Sequence, residues 1–509
     1  MRIHTVLAAA VTVATLSASA WADPMFEFER SGVPDAGTVV AFVNAEGALA
    51  GYASDLDTEL DGRLSSGIDR AEFEGAFGTT LSLFDVGPFD HVYLIGTGDE
   101  VLDRRQLTDL GGHAAMLADH ADGLSILVDS LATEIDGAAS FVAMGYALGD
   151  YTYTDFKSET EPSEPGRVTL IGSDGDAVER FNVDLAHLVD GVTLARNLGN
   201  APGNAIYPET FVETVRAAYD GLDSVDLIVL DESDLEAWGM GALLGVGQGS
   251  LNPPRLLIAR YNGDRRNSPP VALVGKGVTF DTGGISIKPN ENMWQMKADL
   301  SGAAAVAGAV YAAASRGEEI NLVGVMPLAE NMPSQNAIRP GDVLTTLSGK
   351  TIEILNTDAE GRLILSDAVT YAQQEFEPRM LLTIATLTGS AVGAVGADYS
   401  AVLTRDFELS LEMMEIGKAA GEDVWPLPLN DRHFTLLDST IADIKNLGGT
   451  PGASTGAAVV GTFVDEDMPW VHLDMAGVFF ADKPRPTYPL GHAGWGVRFM
   501  DELVRSESD

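Results

Sequence analysis

Between residues 271 and 474, short runs rich in β-branched residues alternate with longer segments whose apolar residues recur at helical spacing. Residues 271–274, 321–326, 351–355, 380–387 and 470–474 read as strands, and the Ala-rich 299–315 and the segment 362–374 read as helices. This alternation leaves few folds open. Parallel neighbours must be joined by crossovers, and helical crossovers cover both faces of the sheet. A mainly parallel sheet flanked by helices is therefore expected over 201–509. In such sheets ligands bind outside the carboxyl ends of the strands.

The N-terminal third has the same character on a smaller scale. Residues 36–44, 90–97 and 167–171 read as buried strands between Gly and Asp turns, and 138–147 fits a helix or a strand. The polar, Pro-rich 157–166 reads as a surface loop. Asp174-Gly175-Asp176 resembles the start of a calcium loop, but the remaining ligand positions do not follow, so it reads as a turn. Apolar residues from Val183 to Leu198 recur at helical spacing, and Asn200-Ala-Pro-Gly-Asn204 ends that segment. The expected organisation is an α/β domain over 23–178, a linking helix over 179–200 and a larger domain over 201–509.

The first 22 residues read as a secretory leader. Arg2 and His4 open it, 6–20 is small and apolar but too short to span a bilayer, and Ala20-Trp21-Ala22 offers an A-x-A cleavage pattern. Cleavage after Ala22 and an exported protein, periplasmic or secreted, are the expectation; without the leader the protein would be cytoplasmic. The chain has no cysteine, which excludes disulfides, thiolate metal sites and a Cys nucleophile. Its net charge of −44 repels nucleic acid and anionic membrane, so neither is an expected partner.

Two turn segments carry chemistry. GKGVTFDTGGISIKPNENMWQMKAD contains Lys276, Asp281, Lys288 and Asp299, and NTDAEGRLILSD contains Asp358, Glu360 and Arg362. Acids are costly to bury unless paired or bound to metal. Four carboxylates match the charge of two divalent cations, which could share a bridging water. Asp358 and Glu360, two residues apart, can converge on one ion. An oxygen-rich set without His suits Mn²⁺ or Mg²⁺, with Zn²⁺ also feasible. A lysine beside such a site can act as a cation, or bind metal as an amine after losing a proton.

Three other motifs fail on context. Gly452-Ala-Ser454-Thr-Gly456 matches G-x-S-x-G, but loop residues precede it where a nucleophile elbow needs a strand, so a flexible substrate-lining loop is expected. Gly349-Lys350-Thr351 lacks the earlier P-loop glycine, where Leu344 stands. Gly245-x-Gly247 lacks the third glycine of a dinucleotide fingerprint, where Ser250 stands.

Both acidic motifs, with LGNAPGN (198–204), GVGQGS (245–250), IRPGDV (338–343), ATLTG (385–389) and HLDMAG (472–477), resemble those of the leucyl (cytosol) aminopeptidase family of two-metal exopeptidases. The resemblance is strong over about 190–505. It implies a small N-terminal α/β domain, a larger catalytic α/β domain and a homo-hexamer. It implies two divalent ions per subunit, Zn²⁺ and/or Mn²⁺, held by Lys276, Asp281, Asp299, Asp358 and Glu360, with Asp281 and Glu360 bridging. Lys288 would stabilise the oxyanion and Arg362 would hold a bicarbonate that relays protons. The pocket for the first residue of a peptide with a free N-terminus would be formed by Met296, Thr386, Leu387, Gly389, Ala476 and Phe479, suiting Leu-like side chains. Two other readings stand beside this one: a serine hydrolase using Ser454, and an inactive relative acting as a binding protein.

Overall fold

The computed structural model describes residues 24–118, 123–158, 166–264, 266 and 268–508. The leader call (1–22) and most of the loop call (159–165) lie outside the described residues.

The N-terminal sheet is built from β1 (Met25–Glu29), β2 (Gly37–Asn44), β3 (Thr80–Val86), β4 (Phe89–Gly98), β5 (Leu124–Leu127) and β6 (Arg167–Ile171). Their order is β1-β6-β5-β2-β4-β3, parallel throughout except for the β3–β4 hairpin. The segment 138–147, open between helix and strand on sequence, is part of the helix Ala138–Asp150. From Ala177 to Asn200 the chain is helical, and Phe181–Leu185 forms a π turn inside that run.

The large sheet contains β7 (Val225–Leu230), β8 (Arg255–Asn262), β9 (Val271–Gly275), β10 (Gly277–Asp281) and β11 (Asn321–Asn331). A separate three-stranded sheet is formed by β12 (Val343–Thr345), β13 (Thr351–Glu353) and a later strand, Ile444–Lys445. The large sheet continues with β14 (Met380–Ala385), β15 (Ser400–Leu403) and β16 (Val424–Pro426), and is completed by Trp470–Asp474. At its centre Trp470–Asp474, β14, β9 and β11 run parallel, as the alternation requires, while β8 and β7 extend one edge antiparallel. The expected strand at 351–355 is a correction. It forms, shorter, as β13, but outside the large sheet; it is flanked by half-exposed residues instead of the fully buried run that a central strand carries.

Both faces of the large sheet are covered. Leu273 and Leu382 join a core that includes the helix Ser301–Arg316 and runs on into the N-terminal domain through Val40, Phe42 and Ile126. Val274 and Leu381 pack on the other side against Leu363 and Val459 of the helices Gly361–Phe376 and Gly452–Gly461. Small residues let helices approach closely: a Cβ on Gly191 would lie 2.4 Å from the Gly308 carbonyl oxygen. Arg196, 1% exposed, ties the two domains together. It donates to the carbonyls of Leu148, Thr487 and Ala493 at 2.7, 2.7 and 3.0 Å, with its guanidinium 5.2 Å from the Tyr151 ring centre. Among the described residues no helix is long and apolar enough to cross a membrane.

Candidate active site

Four backbone segments converge at the carboxyl ends of the central strands. Lys276 follows β9, Asp281 ends β10, Asp299 follows the 3₁₀ turn Met293–Ala298, and Asp358 and Glu360 precede the helix Gly361–Phe376. The second acidic motif therefore reaches the site from the small sheet, not from a central strand. Glu360 sits at the N-cap without capping the helix. Its carboxylate is turned into the cluster while its position still profits from the positive end of the helix.

The bases lie among the acids. Lys276 Nζ is 2.8 Å from Glu360 Oε1 and 2.9 Å from Asp299 Oδ2, and donates to the Thr386 carbonyl at 2.9 Å. Lys288 Nζ is 2.7 Å from Asp281 Oδ2 and 2.6 Å from Asp358 Oδ1. Asp281 Oδ1 accepts from Gly283 N and from Asn331 Nδ2, both at 2.8 Å. Thr386 Oγ1 donates to Asp299 Oδ1 at 2.6 Å. Two glycines make room. Gly283, at φ +85°, turns the chain where a Cβ would meet Asp358 Oδ1 at 2.7 Å, and a Cβ on Gly361 would press on the Lys276 stem at 2.7 Å.

Burial and mutual repulsion govern the charges. Burial first, then Glu360 and Asp299, hold Asp281 well above the usual carboxylate range. Asp299 is pushed up to about 6, chiefly by burial. Burial also raises Asp358. Burial works the same way on Glu360, but Lys276 and Lys288 outweigh it and leave its pKa below the ordinary value. Burial opposes charge on both lysines, yet their acidic neighbours more than offset it, so both stand above the usual lysine value.

The donor set fits metal. Oxygens of Asp281, Asp358 and Glu360 lie within 4.8 Å of one another. Asp299 Oδ2 and Asp358 Oδ1 are held by the ammonium groups of Lys276 and Lys288 at 2.9 and 2.6 Å, whereas Glu360 Oε2 is buried without a hydrogen-bond partner. Buried carboxylate oxygens of this kind are rare unless a cation claims them. Arg362, 5% exposed, donates from Nη1 to the Asn446 carbonyl at 3.1 Å, and its Nε is buried without a partner.

The six residues expected around a side-chain pocket occupy three segments. Met296 is half-buried in the 3₁₀ turn, one turn from Asp299, whose N–H bonds to its carbonyl at 3.3 Å. Thr386 is in the cluster itself. Asp474, 1% exposed, accepts from the N–H groups of Leu387 at 3.1 Å, Thr388 at 3.2 Å and Ala476 at 3.4 Å, joining two of the segments. Gly389 is exposed, with nothing within 4 Å of where its Cβ would be. Phe479 is half-buried against Phe480, ring centres 6.0 Å apart. The expected flexible loop at 452–456 is corrected: these residues open the helix Gly452–Gly461, and Ser454, 1% exposed, is buried in it. A Cβ on Gly456 of that helix would lie 3.5 Å from Arg362 Nη2.

Sequence reasoning missed Asn331, which bridges Asp281 and the Thr357 carbonyl, and Asn446, whose Nδ2 donates to the Asn356 carbonyl at 2.7 Å. Neutral amides leave no charge pattern; for Asn331 the one available signal was its place at the end of a long apolar strand.

Residues 193–500 match the catalytic-domain model of the cytosol aminopeptidase family, and 39–160 match its N-terminal-domain model. The chain is 39% identical over 490 residues to a probable cytosol aminopeptidase of Chelativorans sp., covering 94% of this chain and 98% of the relative. It is 38% identical over 498 residues to one from Brucella ovis, covering 95% and 99%. Among solved structures, a tomato leucine aminopeptidase mutant superposes with a TM-score of 0.84 at 30% identity, covering 95% of this chain and 97% of that one. The bottromycin maturation enzyme BotP in complex with Mn gives 0.80 at 28%, covering 93% and 99%.

Proposed function

Because the chain belongs to the cytosol aminopeptidase family of metal-dependent aminopeptidases, we propose that it removes Leu-like N-terminal residues from peptides with a pair of divalent ions at the clustered carboxylates. The observation that carries the reading is the convergence of Asp281, Asp358 and Glu360 oxygens within 4.8 Å of one another, with the buried Glu360 Oε2 left without a hydrogen-bond partner beside two lysines. Lys276, Asp281, Asp299, Asp358 and Glu360 would hold the ions, Zn²⁺ or Mn²⁺. When bound, such a pair lowers the pKa of a shared water and polarises the scissile carbonyl.

The chain's own residues supply the rest. Lys288 stays cationic between Asp281 and Asp358, where its ammonium can meet the negative charge that develops on the carbonyl oxygen. Lys276 would have to give up its proton to become a ligand, because Asp299 and Glu360 hold it as an ammonium. The buried, unpartnered Arg362 Nε–H supports a small oxyanion such as bicarbonate there, able to carry a proton from water to the leaving amine. Met296, Thr386, Leu387, Gly389, Ala476 and Phe479 would shape the pocket for the first side chain. A homo-hexameric assembly and export under the 1–22 leader complete the reading and rest on sequence.

The deciding assay is hydrolysis of leucine anilide by stripped protein, by protein restored with Mn²⁺ or Zn²⁺, and against an N-acetylated control. Turnover that needs both metal and a free amine is expected. Metal-independent turnover, or equal cleavage of the blocked substrate, would defeat the proposal.

A further inference from the structure

A polar cavity that shares no lining residue with the carboxylate cluster lies where the N-terminal domain, the linking helix and the C-terminal helix Val497–Ser508 meet. Its volume is ≈ 120 Å³, and it is lined by Arg104, Arg105, Arg180, Arg498 and Arg505 around the ring of Phe141. Five arginines at one place are unexpected in a chain with 31 basic and 75 acidic residues.

Three of the five are matched. Arg105 pairs with Asp423 at 2.8 Å, Arg498 with Glu422 at 3.6 Å, and Arg505 with Asp184 and Asp501. Arg104 and Arg180 are not. Their guanidinium carbons lie 5.8 and 5.7 Å from the centre of the same Phe141 ring, and among the described residues no carboxylate comes within 4.0 Å of either. Glu502 also lines the cavity; among the described residues it makes no ion pair within 4.0 Å, and Arg104 is its strongest charged neighbour. The π turn Phe181–Leu185 brings Asp184 and Leu185 to the wall, and π turns are frequent at functional sites.

We propose that this interdomain cavity binds a small oxyanion between Arg104 and Arg180. Guanidinium forks match tetrahedral and planar oxyanions with paired hydrogen bonds, and the Phe141 ring holds both in place. The volume has room for about four waters at roughly 30 Å³ each, which suits an inorganic phosphate or a small carboxylate. Asp184, Asp501 and Glu502 share the lining and Glu422 and Asp423 pair with two of the arginines, so the attraction an anion would feel comes from Arg104 and Arg180 at contact distance and not from a net positive field. Because the walls come from both domains, a bound anion would strengthen the joint between them.

The test is calorimetric titration of inorganic phosphate into full-length, metal-loaded protein at fixed ionic strength. One saturable site is expected that survives Arg362→Ala, which separates it from any anion held at the carboxylate cluster. Arg104→Gln and Arg180→Gln should each weaken that site roughly tenfold, the loss of one charge-assisted contact, and together abolish it. Each single variant is also followed by circular dichroism, so that a folding defect in the double variant leaves the singles to decide. Phosphate binding unchanged in folded single variants, binding removed by Arg362→Ala, or no saturable binding in wild type would each overturn the proposal.

Discussion

Asp358 is the acid whose removal separates chemistry from folding. It is the most exposed of the four, its side chain 29% accessible, and besides Lys288 few groups depend on it. Asp358→Ala should lower kcat/KM by at least about 100-fold and weaken metal binding, with folding retained. Metal content after dialysis and the circular dichroism spectrum check both halves. His492 makes a different kind of prediction. Its Nδ1 accepts from Gly494 N–H at 3.2 Å, so its Nε2–H donates to Ser301 Oγ at 2.8 Å, and burial lowers the imidazole to about 3. An unfolded His titrates near 6.5. Between those values the unfolded chain holds a proton that the native chain refuses, so the contribution of His492 is complete above about pH 6.5 and fades as pH falls toward 3. The stability gap between wild type and His492→Gln should narrow from pH 7 to pH 5, and urea midpoints at the two pH values would show it. The charged members of the site were legible because acids and lysines in Gly-rich turns are conspicuous. Asn331, Asn446 and the backbone-binding role of Asp474 were not, since only the packed chain reveals what those groups hold.

At the scale of elements, Asp367 pins the helix that carries Glu360. Its buried carboxylate accepts from the N–H groups of Ala242 and Leu243 at 2.9 Å and of Leu347 at 2.8 Å, capping one helix and fastening a loop from the middle of another. Asp367→Asn puts an amide donor among three donors and should cost about 2–3 kcal/mol. A lower urea midpoint at constant m would register it. Apolar periodicity located the central strands and the helices Ser301–Arg316 and Gly361–Phe376 to within a few residues, because burial on both faces leaves a strong pattern. It misassigned β13 to the large sheet, since three residues carry no information about their partner. It also left 452–456 as loop, because the Gly- and Ala-rich start of that helix reads as coil until Thr388, Leu387 and Arg362 are packed against it.

For the whole molecule, the division into two domains is topological more than energetic. One core runs through both, and Arg196 spans them by holding three carbonyls. Burial lowers the guanidinium to about 10, still cationic at neutral pH. Arg196→Met would leave those carbonyls without donors and should cost about 3–5 kcal/mol. Chemical unfolding followed separately by fluorescence and by far-ultraviolet dichroism should show the transitions of the two probes separating in the variant and coinciding in wild type.

The position of Arg196 in the chain also sets a schedule. Two of its three acceptors, Thr487 and Ala493, are 291 and 297 residues downstream. At about 5–20 residues per second, a ribosome delivers them roughly 15–60 s after the arginine itself has emerged. Throughout that interval the nascent N-terminal domain offers that cation only the Leu148 carbonyl and the Tyr151 ring. The linking helix therefore stays wet until translation is nearly over, and the last few dozen residues made are the ones that close the molecule.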